Sequence, residues 1–514
     1  MAPQRARFMH LLILMFAPFI CLQAQTPVQR LTQQGFEAYR RGDLETAAAL
    51  FRQTTTAAPA DGLTWFNLGL VLADQGKLPE AAAAYEQSAA LLAKQNVPKL
   101  NLSNAYNNLA LVYLRQKRLQ EATARANQAM QVWPPSAEPH ITLGLILEAQ
   151  EHRAEAIAAY RKAVSLSPKH PVARQNLGNA LLKSGETDGA IQVLREGVGF
   201  YPRDPDLQET YGNALAAKSR LPEAIAAFQA SLAERPDAPS VLYNLGDALR
   251  RTSRLNEAVA ALGRAHAIAP ADVDASLALA GLLTQLHRIA EAAPILDSIP
   301  PSRAQDPLLL FARAALASEA ARYSDAVPLL RQALKAKPDF PEASALLATS
   351  LLDTGAIQEG LVIAETALHA NPENADLHNT RGLLLAAQRK FAAASAEFDR
   401  AIALRPDYTD ARANRAIVLM QQHHSADAIL EFQAVLQADP RNLKAQVNLA
   451  AAYFDLKRYA EACDAYSLAI ALSPKDPDLH ANLAMALEKA GRLAEARKEV
   501  AVAKQLQSTS VNSH

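Results

Sequence analysis

The sequence predicts an all-α protein: an α-solenoid of about fourteen helix-turn-helix repeats, each 34 residues long. Two observations support this fold class: prolines that recur every 34 residues, and apolar residues that recur between them at helical spacing. The prolines form two runs in one phase, at Pro134, Pro168, Pro202, Pro236 and Pro270 and at Pro338, Pro372, Pro406, Pro440 and Pro474. Ala304 occupies the one missing position between the runs.

The apolar pattern between two prolines predicts a pair of helices. In one repeat Leu177 and Gly178 are followed by Leu181, which places all three on one helical face. Ala190 and Leu194 then mark a second helix at the matching spacing. Because glycine and alanine have little bulk, the two helices can approach closely while the larger residues fill the remaining space. Each repeat is therefore predicted to be an antiparallel helical hairpin.

This pattern resembles that of the tetratricopeptide repeat (TPR) family, W-x2-L-G-x2-Y…A-x3-F…P. The repeat that follows it best contains Trp65, Leu68, Gly69, Leu72, Ala81 and Tyr85. The resemblance implies a right-handed superhelix, and it covers residues 25–510. The repeats are expected to start near residues 28, 62, 103, 137, 171, 205, 239, 273, 307, 341, 375, 409, 443 and 477, which leaves residues 511–514 as a C-terminal tail.

Residues 1–24 have the order of a secretory signal peptide. Arg5 and Arg7 precede an apolar run from Leu11 to Leu22, and the small residue Ala24 follows it. The run is too short for a comfortable membrane span and contains Pro18, so no span is expected in the mature chain. The sequence therefore predicts export to the periplasm or the extracellular space, in the style of a bacterial protein.

Charge and cysteine content limit the partners and the chemistry. Lys+Arg and Asp+Glu both number 52, and removal of Arg5 and Arg7 leaves 50 against 52, a net charge of −2. This balance does not support nucleic acid as a partner. Cys463 would be the one cysteine of the mature chain, so no disulfide is expected within it, and it is interpreted as a small buried hydrophobic residue.

Three places depart from the regular repeat. Seven extra residues around 96–102 are expected to lengthen a second helix or the connection after it, because Pro98 cannot lie inside a helix. Pro294 and Pro328 come one turn into their second helices and are expected to loosen the start of each. Gly360 replaces the alanine that packs between the two helices.

No catalytic or metal-binding pattern is present in the sequence. The histidines lack metal spacing, and His140, His378 and His480 share the tryptophan position of the repeat, where they are interpreted as packing substitutes. An acidic residue before the packing alanine recurs from repeat to repeat, as at Glu257 and Glu461, and is interpreted as a helix-start residue. We therefore expect no enzyme, no cofactor and no metal.

The candidate binding residues lie just before the Leu-Gly position. The resemblance implies that first helices line a concave face, and this position holds Asn67, Asn108, Asn176, Asn244, Asn414, Asn448 and Asn482, with Lys444 one turn before Asn448. An amide side chain both donates and accepts, so it can bond a peptide backbone of any sequence. The row resembles the asparagines of O-linked N-acetylglucosamine transferase arrays and of the chaperone-adaptor carboxylate clamp, but no catalytic domain follows and the clamp is incomplete.

The expected function is a non-enzymatic scaffold that binds protein or peptide segments in the concave groove, in the periplasm or in an envelope complex. One alternative is a TPR helper of exopolysaccharide synthesis or export, or of envelope assembly. Another is a non-catalytic relative of the transferase arrays. The asparagines also have a simpler interpretation, as polar repeat residues without a ligand.

Overall fold

The computed structural model describes residues 26–511, and in this range it contains helices and no strand. The predicted signal peptide at residues 1–24 lies outside the described residues. The chain divides into two compact units, residues 1–252 and 253–514. Odd-numbered helices are the predicted first helices of the repeats, and even-numbered helices are the second helices.

Unit 1 contains six helical hairpins followed by one further first helix. Its helices are α1 (Pro27–Arg40), α2 (Leu44–Ala57), α3 (Gly62–Asp74), α4 (Leu78–Leu92), α5 (Lys99–Arg115), α6 (Leu119–Val132), α7 (Glu138–Ala149), α8 (Arg153–Leu166), α9 (Pro171–Lys183), α10 (Thr187–Phe200), α11 (Pro205–Ala217), α12 (Leu221–Glu234) and α13 (Pro239–Arg251). The two helices of each hairpin pack against each other and against the next hairpin.

Unit 2 begins with a second helix and continues with seven hairpins. Its helices are α14 (Leu255–Ile268), α15 (Val273–Gln285), α16 (Ile289–Asp297), α17 (Pro307–Glu319), α18 (Tyr323–Ala336), α19 (Pro341–Asp353), α20 (Ile357–Ala370), α21 (Ala375–Ala387), α22 (Phe391–Leu404), α23 (Thr409–Gln421), α24 (Ser425–Ala438), α25 (Leu443–Asp455), α26 (Tyr459–Leu472), α27 (Pro477–Lys489) and α28 (Leu493–Val511), with a 3-10 helix at Pro301–Arg303. The all-α solenoid of repeated hairpins is confirmed.

Side chains at the starts of the helices explain where each begins. Asp204 and Asp272 accept hydrogen bonds from backbone N–H groups of the first turns of α11 and α15, which satisfies donors that have no partner inside the helix. Proline at the first position, as at Pro205, loses nothing because its missing N–H is not needed there. The second helices instead carry an acid in the first turn, as predicted for Glu257 and Glu461.

The glycine at the Leu-Gly position of the repeat, which follows Arg381 at Gly382, lies against the large apolar residue of the second helix. A Cβ added to Gly144 would lie 2.3 Å from Tyr160, and one added to Gly382 would lie 2.6 Å from Phe398. Both rings are fully buried. The ring therefore covers the glycine directly, and it does not merely fill space at the flank.

The turn inside each repeat contains one residue with positive φ. Five of these residues are glycine, as at Gly355, and nine are not, as at Ala321 with φ 54° and His423 with φ 64°. The backbone N–H of this residue and that of the following residue each donate to a carbonyl group of the first helix. For Lys117 and Arg118 both donor–acceptor distances are 2.9 Å. This bonding ends the first helix and turns the chain into the second.

The irregular repeats differ in part from the sequence prediction. The extra residues near 96–102 lengthen the connection, as expected, but the longer helix is the following first helix, α5, because Pro98 caps its start. Pro294 lies in a helix of only 9 residues, α16, whereas Pro328 is accommodated in α18, which keeps 14 residues. A Cβ on Gly360 would lie 3.0 Å from the carbonyl oxygen of Ala348, so glycine relieves a close backbone approach.

None of the helices within residues 26–511 has the length and apolar character needed to cross a membrane.

Candidate functional site

Within each unit, neighbouring first helices approach one another more closely than neighbouring second helices do. Such contacts join α9 to α11 in unit 1, and α15 to α17 and α19 to α21 in unit 2. A stack of hairpins whose first helices lie closer together curves toward those helices. We call the side of each unit that is lined by first helices its inner face.

The seven predicted asparagines lie on first helices of the two units, and all are partly buried. In unit 1 they are Asn67, Asn108, Asn176 and Asn244, and in unit 2 they are Asn414, Asn448 and Asn482. Where threonine replaces asparagine the side chain is buried, as at Thr142, Thr210 and Thr380. This row is therefore closer to the core than a fully solvent-facing row would be.

Two of the asparagines bond the neighbouring first helix. The Asn244 amide donates to Asn213 Oδ1 at 2.9 Å, and the Asn414 amide donates to Asn379 Oδ1 at 3.0 Å. Asn379 is itself buried, with 8% of its surface exposed. Since a buried acceptor without a donor is costly, these two amides hold adjacent repeats in register. Sequence reasoning missed Asn213 and Asn379 because asparagine occurs at each of their two repeat positions only twice, with Asn179 and Asn107 as the other members.

Asn108 lies in a small polar cluster of unit 1. Its amide donates to Tyr85 Oη at 3.4 Å, and with Tyr85 and Arg115 it lines a cavity of about 20 Å³, which has room for about one water molecule. Arg115 donates to the Ala73 carbonyl at 2.7 Å. Burial raises the pKa of Tyr85 far above its usual range. The cluster is too small for an organic ligand and serves packing.

The side chains of the remaining asparagines make no hydrogen bond with another described residue. Asn67, Asn448 and Asn482 have no described partner, and the amide nitrogen of Asn176 is buried without one. Asn448 and Asn482 lie 34 residues apart on α25 and α27, and exposed Lys444 is one turn before Asn448. Lys444, Asn448 and Asn482 therefore lie on the same side of adjacent first helices.

The residues at the tryptophan position have a structural role. Trp65 Nε1 donates to the Pro59 carbonyl at 3.0 Å, and His378 and His480 donate in the same way to the carbonyl six residues earlier, at 3.1 and 3.3 Å. The other ring nitrogen of each histidine faces a carboxylate, that of Glu397 in the case of His378, at 2.7 Å. These histidines do more than fill space, because each holds the loop before its repeat.

The repeated acids are used in ion pairs at the start of the second helices. Arg254 Nε donates to Glu257 at 2.7 Å, and the same pairing over three residues joins Arg288 to Glu291. The hydrogen bond from the arginine is the main cause that lowers the pKa of each glutamate. Burial raises the pKa of the Cys463 thiol, in keeping with its interpretation as a small hydrophobic residue. No group of three or more potential metal ligands lies within residues 26–511.

Models of known protein families match most of the chain. Four family models described as tetratricopeptide repeat match the chain, at residues 62–134, at 147–213, 249–316 and 317–384, at 211–273, 363–409 and 413–477, and at 465–498. Together the matches span residues 62–134, 147–409 and 413–498.

Several solved structures are similar to the chain. One is a chain of the APC/C hetero-tetramer Cut9-Hcn1, with 16% identity, 94% of each chain covered and a TM-score of 0.47. MamA from Desulfovibrio magneticus RS-1 has 20% identity over 33% of this chain and 96% of its own, with a TM-score of 0.31. TTC0263, a thermophilic TPR protein in Thermus thermophilus, has 22% identity over 35% of this chain and 98% of its own, with a TM-score of 0.33. With its repeated hairpins and with family models that match along most of its length, the chain belongs to the tetratricopeptide repeat family.

Proposed function

We propose that the chain is a non-enzymatic scaffold that binds peptide or protein segments on the inner faces of its first helices. The repeats of this family generally form non-catalytic scaffolds, and stacked helical repeats offer extended concave binding surfaces. The observation that carries the proposal is the pair Asn448 and Asn482, whose amides recur on adjacent first helices without a hydrogen-bond partner among the described residues.

The chemistry of the amide favours a peptide ligand. One asparagine side chain can accept from a backbone N–H and donate to a backbone C=O, so a row of them can follow an extended segment without reading its side chains. Lys444, one turn before Asn448, adds a positive charge that can attract a carboxylate. Asn67 offers the same groups in unit 1, whereas the amide nitrogen of Asn176 is buried. Asn108, Asn244 and Asn414 belong to the row but contribute to packing.

Selection of peptides tests this proposal. Residues 26–514 are immobilised, and peptides are selected from a displayed random library. The Asn448→Ala/Asn482→Ala double variant should bind the selected peptides about thirtyfold more weakly, because two hydrogen bonds contribute roughly 2 kcal/mol. Asn256→Ala is the matched control, since this asparagine is exposed on a second helix, α14. Equal affinity of the double variant and the control, with intact helicity, would refute the site.

We also propose that the scaffold works outside the cytoplasm, as part of an envelope complex or as a secreted protein. The support is the order of residues 1–24, in which a basic start, an apolar run and a small residue follow one another. Intact-mass measurement of protein from the native host should give a chain that begins at or near Gln25. A full-length mass in the cytosolic fraction would contradict export.

A further inference from the structure

The inner face of unit 2 carries exposed apolar side chains beside the asparagine row. Ile417 and Met485 each follow a row asparagine by three residues, and 41% and 53% of their surfaces are exposed. Because residues three apart lie on one helical face, both side chains flank the proposed peptide site. Residues on the opposite face of these helices, such as Ala416 and Leu483, are buried in the core.

Other apolar residues extend this surface along the first helices. These residues of the first helices in unit 2, from α17 to α27, are partly buried and also pack against the core: Phe311, Leu346, Leu352, Leu383, Met420, Val447 and Phe454. We call these residues, with Ile417 and Met485, the apolar floor. Exposed apolar side chains set among partly exposed ones are a feature of interaction sites on proteins.

Exposed carboxylates border the apolar floor at both ends of the helices. In the first turns they are Glu342, Asp410 and Asp478, and in the last turns they are Asp353, Asp455 and Glu488. None of the six makes an ion pair with a described residue, and the bases at the equivalent places are Lys444 and Lys489. Six carboxylates against two lysines give this acidic border a net charge of −4.

The acidic residues in the last turns do not stabilise the helices that carry them. Asp353 and Asp455 are the final residues of α19 and α25, and neither helix has a basic residue in its last turn. A negative charge at this end opposes the helix dipole, so it lowers helix stability. In unit 1 several first helices instead end in a base, as at Arg115 and Lys183. In unit 2, Ser425 Oγ donates to Asp455 at 3.4 Å, and neither Asp353 nor Asp455 has a cationic partner among the described residues, so both carboxylates can meet a cationic ligand.

We infer that the inner face of unit 2 binds a protein segment that combines apolar side chains with lysine or arginine. The apolar side chains pack on the apolar floor, and the cationic groups reach the acidic border. The inference rests on the proposed scaffold function, and it adds the chemical class of the segment. Burial of apolar area supplies affinity, whereas the border selects against acidic segments.

Synthetic peptides test the chemical class. A labelled peptide of leucine and lysine is titrated with residues 26–514, alongside a leucine–glutamate peptide of the same pattern and a serine–lysine peptide. The leucine–lysine peptide should bind at least about tenfold more tightly than either control, because each control lacks one of the two matching properties. Equal or tighter binding of the leucine–glutamate peptide would overturn the inference.

Variants locate the binding on the inner face. Asp353→Asn/Asp455→Asn should weaken binding of the leucine–lysine peptide about fivefold at low salt, and this difference should vanish at high salt. Ile417→Gln/Met485→Gln should weaken it about thirtyfold at both salt concentrations. Loss of an acid at a helix C-terminus does not destabilise the helix, and an amide oxygen can still accept from Ser425 Oγ as Asp455 does, so the first pair of changes leaves the fold intact.

Matched outer-face controls are Asp464→Asn and Leu430→Gln, which change exposed residues of the second helices α26 and α24. These controls should bind like the unchanged chain, and an equal loss in them would overturn the inference. The library peptides separate the two proposals. If they bind but lack basic and apolar residues, and the border variants do not change their affinity, this inference is wrong while the proposed scaffold function is still supported. If the selection yields no binder, the proposed function itself fails.

Discussion

A single methyl group added to the repeat glycine tests how the hairpins are held together. In Gly382→Ala the new Cβ would lie 2.6 Å from Cε1 of Phe398 and within 3.0 Å of two further ring atoms. Phe398 is fully buried, so its ring cannot move into solvent. The substitution should therefore force the two helices of this repeat, α21 and α22, apart.

The expected change in the free energy of unfolding is the difference between two opposing effects. Overpacking a well-filled core costs about 1–3 kcal/mol, and glycine to alanine in a helix interior gains about 1 kcal/mol. Because three ring atoms are crowded at once, we expect the upper part of the range and a net loss of roughly 2 kcal/mol. Gly281→Ala is the matched control, since this glycine lies inside α15 with no heavy atom within 4 Å of its Cβ position. The control should gain about 1 kcal/mol.

Native-state hydrogen exchange measures both changes repeat by repeat. In a stack of repeats, stability is a sum of repeat terms and terms between neighbours, so the lost protection should be confined to α21, α22 and the adjacent helices. Equal effects of Gly382→Ala and Gly281→Ala would refute the glycine–ring account. A uniform loss across all repeats would refute the local nature of the damage.

Three further predictions concern the turns, the asparagine row and pH. Ala321→Gly should stabilise unit 2 by about 1 kcal/mol, because glycine adopts the positive φ of this turn without strain; destabilisation on chemical denaturation would contradict this. Asn414→Ala should cost about 1–2 kcal/mol because it leaves a buried acceptor unpaired, whereas Asn448→Ala should be nearly neutral; equal denaturation midpoints would contradict it. The pKa of Glu257 is lowered in the folded chain, so its stabilising effect is present above the unfolded pKa and is lost as pH falls through the folded pKa. An NMR titration should show this lowering, and Arg254→Gln should remove it.

The sequence predicted the parts of the fold that every repeat shares. The proline period located the loops, and the glycine–ring pair located the contact between helices, as Gly382 and Phe398 show. The turn residue escaped notice because only five of the fourteen positions are glycine, while the others hold residues as different as Ala321 and His423. The positive φ recurs in every repeat, but no single residue type recurs with it.

The candidate site was harder to predict than the core. The asparagine row was visible because it recurs, but recurrence did not distinguish Asn414, which bonds a neighbouring helix, from Asn448, which does not. Asn379 shares its repeat position with just one other asparagine, Asn107, and Met485 with no other methionine, so neither stood out as a period. A period detects what the repeats have in common, whereas a binding face depends on residues by which one repeat differs from the next.

The most direct test of the scaffold account is site-specific photocrosslinking to a selected peptide. Benzoylphenylalanine replaces Ala451 on the first helix α25 in one sample, and exposed Asp464 on the second helix α26 in another. The account predicts a crosslinked product from position 451, reduced in the Asn448→Ala/Asn482→Ala background, and none from position 464. Crosslinking from position 464 with none from position 451 would show that the inner face is not the binding surface.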